Sequence, residues 1–207
     1  MKRMYSSFVF LALLLPSLMV DTLYATVVYP FEVFTNNGGY HDSPDLDLYV
    51  EAVDRESRID FIFHNESIID SSIARIYIEG GSFLSFAEMI EGPGTSFNPV
   101  ATPAKLPGSN LLELPLLTTY EFSFDSDPAV SHNGLNPGEW LMTTFDIINS
   151  GTFQSVVDEL NTGVMWIGVH VIALPDGSSE SAIAVPEPAA LFLLWFGALS
   201  LLRKRRS

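Results

Sequence analysis

The residues of this 207-residue chain that could do chemistry are four histidines, two interior tryptophans and several loops dense in aspartate. The histidines are His41, His64, His132 and His170. His170 shares a strand face with Trp166, Gly168 and Ile172, where a carboxylate neighbour would make it a general base. A hydrogen-bonded histidine within a β-fold accounts for it equally, and no second catalytic group stands at a fixed offset. The chain has no G-x-S-x-G elbow, no H-E-x-x-H pair and no phosphate-binding loop. It has no cysteine, which excludes a nucleophilic thiol, a thiolate metal site and any disulfide. The chain is therefore read as non-enzymatic, with a secreted hydrolase the least favoured reading.

Two further chemistries are open. Asp42, Asp45 and Asp47 follow the Gly38-Gly39 turn closely, and Asp125-Ser126-Asp127 is a second acidic loop. Calcium takes oxygens from carboxylates and loop carbonyls, so Asp42, Asp45 and Asp47 are a candidate calcium set. Neither stretch has the EF-hand spacing, and solvated acidic loops account for both. Trp140 and Trp166 are candidate glycan contacts, since sugars stack on indole rings; core packing is the competing role. No other cofactor is expected.

The two ends of the chain carry a different signal. Lys2 and Arg3 precede the apolar run Phe8 to Val20, and Leu23-Tyr24-Ala25 is a plausible cleavage site. Residues 1–25 thus read as a secretory signal peptide, with an uncleaved anchor as the alternative. At the other end, Val185-Pro186-Glu187-Pro188 precedes Ala189 to Leu202, an apolar run interrupted only by Gly197 and Ser200. As a helix it would reach about 21 Å, short of a hydrocarbon core of about 30 Å. Arg203, Lys204, Arg205 and Arg206 close the chain and would stay on the cytoplasmic side, stopping transfer.

Motif, apolar helix and basic stop, in this order, resemble the PEP-CTERM sorting signal of Gram-negative bacteria. The resemblance implies transport through the Sec translocon and a transient hold in the inner membrane. It further implies cleavage near the motif by an exosortase, a transpeptidase-like membrane enzyme. It also implies a cell-surface or extracellular destination near exopolysaccharide and biofilm. The interior stretches Asn65 to Glu79, Leu106 to Asn110, Gly134 to Glu139, Ile167 to Val171 and Asp176 to Ser181 resemble a recurring group of such proteins and bring no catalytic residues with them. Asn65-Glu66-Ser67 matches the N-glycosylation pattern, which carries no weight in a bacterial setting.

Removing both ends sharpens the charge. Setting aside residues 1–25 and the basic cluster removes six of the 10 basic residues and Asp21, and leaves 24 acidic residues, Glu187 of the motif among them, against 4 basic ones, a net charge of −20. Such a body has no electrostatic footprint for nucleic acid or anionic lipid. It is expected to be a secreted module of unknown biochemical activity, in contact with exopolysaccharide, or else a carbohydrate-binding module.

The elements that must position these residues are mostly strands. Leu46, Leu48, Val50 and Ala52 alternate with Asp47, Tyr49, Glu51 and Val53; Ile59, Phe61 and Phe63 alternate with Asp60, Ile62 and His64. The spacing predicts further strands over 27–34, where Pro30 suggests an edge, and over 73–79, 120–125, 140–148 and 164–174. Residues 83–90 fit strand or helix. Phe153, Val156, Val157 and Leu160, between Thr152 and Gly163, predict the one helix. The expected fold is all-β: an antiparallel β-sandwich, jelly-roll or immunoglobulin-like, over 26–175. A flexible linker over 176–184 and the sorting signal over 185–207 follow it, and its flanks are the signal peptide and a transmembrane sorting helix.

Overall fold

The computed structural model describes residues 24–99, 105–112 and 122–186. Residues 1–23 of the expected signal peptide (1–25), Glu187, Pro188, the apolar run and the basic cluster lie outside the described residues. Among the described residues no helix is long and apolar enough to cross a membrane.

The described chain is all-β and antiparallel. Its strands are β1 (Thr26–Val33), β2 (Leu48–Asp54), β3 (Arg58–Asn65), β4 (Ser72–Glu79), β5 (Leu84–Glu91), β6 (Phe97–Pro99), β7 (Phe122–Ser126), β8 (Glu139–Ile147), β9 (Trp166–Ile172) and β10 (Glu180–Ala184). They form one sheet in the order β5-β8-β3-β2-β1-β10-β9-β4-β7-β6. Alternation sets the faces, as side chains point to opposite sides along a strand. Ile59, Phe61 and Phe63 on β3 are fully buried, as are Val50 and Ala52 on β2.

The sheet curls back on itself. Phe122 on β7 meets Phe145 on β8 with ring centres 5.0 Å apart, and Phe86 on β5 meets Phe124 on β7 at 5.5 Å. Strands far apart in the order therefore face each other across one aromatic core. β1 makes the turn from one half to the other. Thr26 to Pro30 pair with β2, and Phe31 to Val33 pair with β10. Pro30 thus lies inside the sheet order and not on an edge strand. Its missing N–H falls where β1 changes partner, so the ladder can spare that donor.

The helix α2 (Phe153–Thr162) forms as its spacing predicts, with Phe153, Val156, Val157 and Leu160 buried. Thr152 Oγ1 accepts from the Ser155 amide, and Gly163 takes the left-handed conformation at φ 70°. Tyr29 on β1 donates to Asn161 Oδ1 at 3.3 Å, tying the helix to the sheet. Burial, with Asp158 nearby, pushes the Tyr29 hydroxyl up to about 12. A second helix, the single turn α1 (Val130–Asn133), adds to the one helix that the spacing predicts. Asn133 Nδ2 donates to the carbonyls of Asp127 and Pro128 and so closes that turn back on its own entry.

A buried asparagine joins two loops. Asn65 is fully buried, and its Nδ2 donates to Leu135 O at 2.9 Å and to Ser71 Oγ at 3.1 Å. Its Oδ1 accepts from the Ser67 amide, and its backbone carbonyl from the Gly138 amide. This amide is spent on the fold and is out of reach of glycosylation.

A further expectation is overturned. Residues 180–184, read as part of a flexible linker, form β10, between β1 and β9 in the middle of the sheet. Gly177 and the serines suggested a spacer, but Ala182 and Ala184 are small enough to fill the core side of a crowded central strand.

Candidate functional site

The Val185–Pro188 stretch, expected to be a sorting motif, begins where β10 ends, and β10 is held on both edges. Phe31, Glu32 and Val33 of β1 pair with Ala184, Ile183 and Ala182. Val171, His170, Val169 and Gly168 of β9 pair with Glu180, Ser181, Ala182 and Ile183. The ladder continues one residue further, because the Val185 amide donates to Pro30 O at 3.0 Å. Val185 is half-buried and Pro186 is exposed. Two of the four motif residues are thus described, and the first is already part of the sheet.

The entry to β10 is fastened by Glu180, whose carboxylate is fully buried. It accepts from the Thr35 hydroxyl, and from the Asn37 and Gly38 amides at 2.8 Å each. Asn37 Nδ2 donates to Ser179 O at 2.8 Å, and the Ser181 amide donates to Thr35 Oγ1 at 2.8 Å. A carboxylate buried without a cation stays satisfied only if donors converge on it. Here the Asn36-to-Gly39 turn supplies them. The turn signal was legible in the sequence and its partner was not. The one available signal was the alternation of Glu180, Ala182 and Ala184 with Ser181 and Ile183.

The remaining candidate residues fall into place around this junction. His170 Nδ1 lies 3.4 Å from Ser181 Oγ. Burial lowers the His170 pKa, and Arg75 beside it adds to the effect. A serine–histidine pair suits nucleophilic catalysis only if the hydroxyl can meet a substrate. Ser181 is 1% exposed, so this hydroxyl cannot. Arg75 is the cross-strand neighbour of both His170 and Asp125, with its Nε 3.4 Å from Asp125 Oδ1. That approach is an ion pair without hydrogen-bond alignment. Burial raises the Asp125 pKa, and Arg75 opposes the rise. The row Ser181, His170, Arg75, Asp125 is a packed polar stripe across four strands.

The three aspartates of the calcium expectation do not converge. The Asp42 side chain is 94% exposed and lies 3.9 Å from His41 Nε2. Asp45 and Asp47 use their carbonyls to hold the 66–68 segment, accepting from the Ile68 and Glu66 amides. Among the described residues no group of three acidic or histidine side chains could hold a metal ion.

The tryptophans lie in different halves of the sheet. Trp166 donates its Nε1–H to Gly163 O at 2.7 Å and closes the end of α2. Trp140 on β8 is half-buried and lies opposite His64 on β3, which lies opposite Tyr49 on β2. Tyr49 and His64 stack 4.6 Å apart at 16°. That separation matches the strand spacing of about 4.8 Å, so the two rings stand on the sheet with their faces turned to each other. Burial lowers the His64 pKa, and its Nε2 has no hydrogen-bond partner.

In comparison with known proteins, no family model matches the chain, and no curated protein or solved structure matches it.

Proposed function

We propose that this is an exported, non-enzymatic surface or extracellular-matrix protein of the PEP-CTERM type, passed through the Sec translocon and cleaved near Val185–Pro188 by an exosortase. The observation that carries the reading is the order of motif, apolar run and basic stop in residues 185–206, joined without a spacer to a strand of the folded body. At the other end β1 begins at Thr26, so a cut after Ala25 leaves the paired residues of β1 in place and gives up the Asp54 amide bond to Ala25 O and the Arg55 stack on Tyr24. The curled sheet, with its two halves facing across one core, is read as a β-sandwich. The body's role is display or packing near exopolysaccharide. The candidate side chains support this reading, because His170, Ser181, Arg75 and Asp125 are engaged with one another and Trp166 with α2. Mass spectrometry of the protein from cells that contain an exosortase tests the reading: the expected mature chain starts near Thr26 and ends near the motif.

A further inference from the structure

We infer that docking of β10 withholds the motif from its processing enzyme, so that cleavage belongs to the state in which β10 has not yet entered the sheet. The inference rests on the sorting reading above. Enzymes that cut or transfer a peptide hold several residues on either side of the cut as an extended strand, through main-chain hydrogen bonds. On the N-terminal side of this motif those groups are already used. Ile183 and Ala184 lie in the ladder to β1, Ile183 lies also in the ladder to β9, and the Val185 amide is given to Pro30 O. Ala182 and Ala184 are in the core, and Glu180 anchors the strand entry through three donors. No spacer separates this strand from the motif: Val185 follows Ala184 directly.

Freeing the flank therefore means pulling a central strand from between β1 and β9. Local openings of central strands are the rarest in a fold. During export the order of events is different. β10 is the last strand among the described residues, and until it docks, β1 beyond Pro30 and one edge of β9 wait for a partner. In that interval the motif and its flank are free together. Cleavage then precedes closure, and the body locks once the tail is gone.

Two measurements on the full chain test this. In the first, the purified full-length protein in detergent is exposed to a post-proline endoprotease, with cleavage after Pro186 followed by mass spectrometry. It is compared with a variant carrying ten Gly/Ser residues between Ala184 and Val185, a reach of about 17 Å. The insertion is expected to speed the cut by tenfold or more, and Glu180→Ala, which loosens the strand entry, to speed it by a smaller factor. Equal rates for the wild type and the insertion variant would overturn the inference. The second is a pulse-chase in exosortase-containing cells. Wild-type chains that escape early processing should stay uncut once the body resists protease, while the insertion variant should chase to completion. Wild-type chains that chase to completion at the insertion variant's rate would overturn the gate. If neither chain is ever cut, the sorting reading falls and takes the cellular gate with it, while the detergent comparison still decides whether the docked strand shields the motif.

Discussion

Glu180 concentrates more of the fold's polar bonding than any other side chain near the tail. Removing its carboxylate leaves the buried Thr35 hydroxyl and the partly buried Asn37 and Gly38 amides without this acceptor. Unsatisfied buried donors cost about 1–3 kcal/mol each before relaxation. Glu180→Ala should therefore lower stability by about 2–4 kcal/mol in urea unfolding, and Glu180→Gln by less, since the amide oxygen can still accept. The two half-buried histidines predict a pH effect. His64 and His170 both have pKa values lowered by burial. The unfolded chain then takes up protons near the ordinary histidine value of about 6.5, where the native state does not. Stability should fall as pH drops through that region. The raised pKa of Asp125 works in the opposite sense, but at lower pH. Thermal midpoints between pH 7.5 and 5.5 check this; the His64→Gln, His170→Gln double variant should lose most of the slope.

At the scale of elements, what could be read from the sequence was local. Ile59, Phe61 and Phe63 gave β3, and the Phe153-to-Leu160 spacing between Thr152 and Gly163 gave α2, because each pattern is complete within one element. β10 was missed because its evidence is not local: Ala182 and Ala184 carry no strong strand preference, and what makes them a strand is a slot between β1 and β9, far away in the chain. Pro30 was misplaced for the same reason, since a change of partner inside the sheet leaves no mark on the sequence around it. The motif itself was legible in four residues; its attachment to a central strand was not. Gly168 on β9 shows how closely elements pack on the outer face. A Cβ there would come 2.8 Å from Leu106 Cδ2, so the segment around Leu106 can lie directly on the strand only because residue 168 is glycine. Gly168→Val should cost about 1–3 kcal/mol and expose the 105–112 segment to proteolysis, whereas a Leu106→Ala, Gly168→Val double variant should recover part of the loss.

At the scale of the whole molecule, charge and tail set the behaviour. The body, residues 26–202, carries a net charge of −20. Its three arginines are already paired, Arg55 with Asp60, Arg58 with Asp146 and Glu88, and Arg75 with Asp125. Such partly exposed pairs each contribute little. Repulsion among the remaining carboxylates should dominate at low ionic strength, and salt should screen it. The thermal midpoint of the mature body should therefore rise as sodium chloride is added from low concentration, which scanning calorimetry would show. The same repulsion disfavours stacking of one copy on another. The central claim concerns the tail, and intact-mass spectrometry of the protein from exosortase-containing cells tests it most directly. The account predicts a chain that begins near Thr26 and has lost Ala189 to Ser207. A mature chain still ending at Ser207 would contradict it.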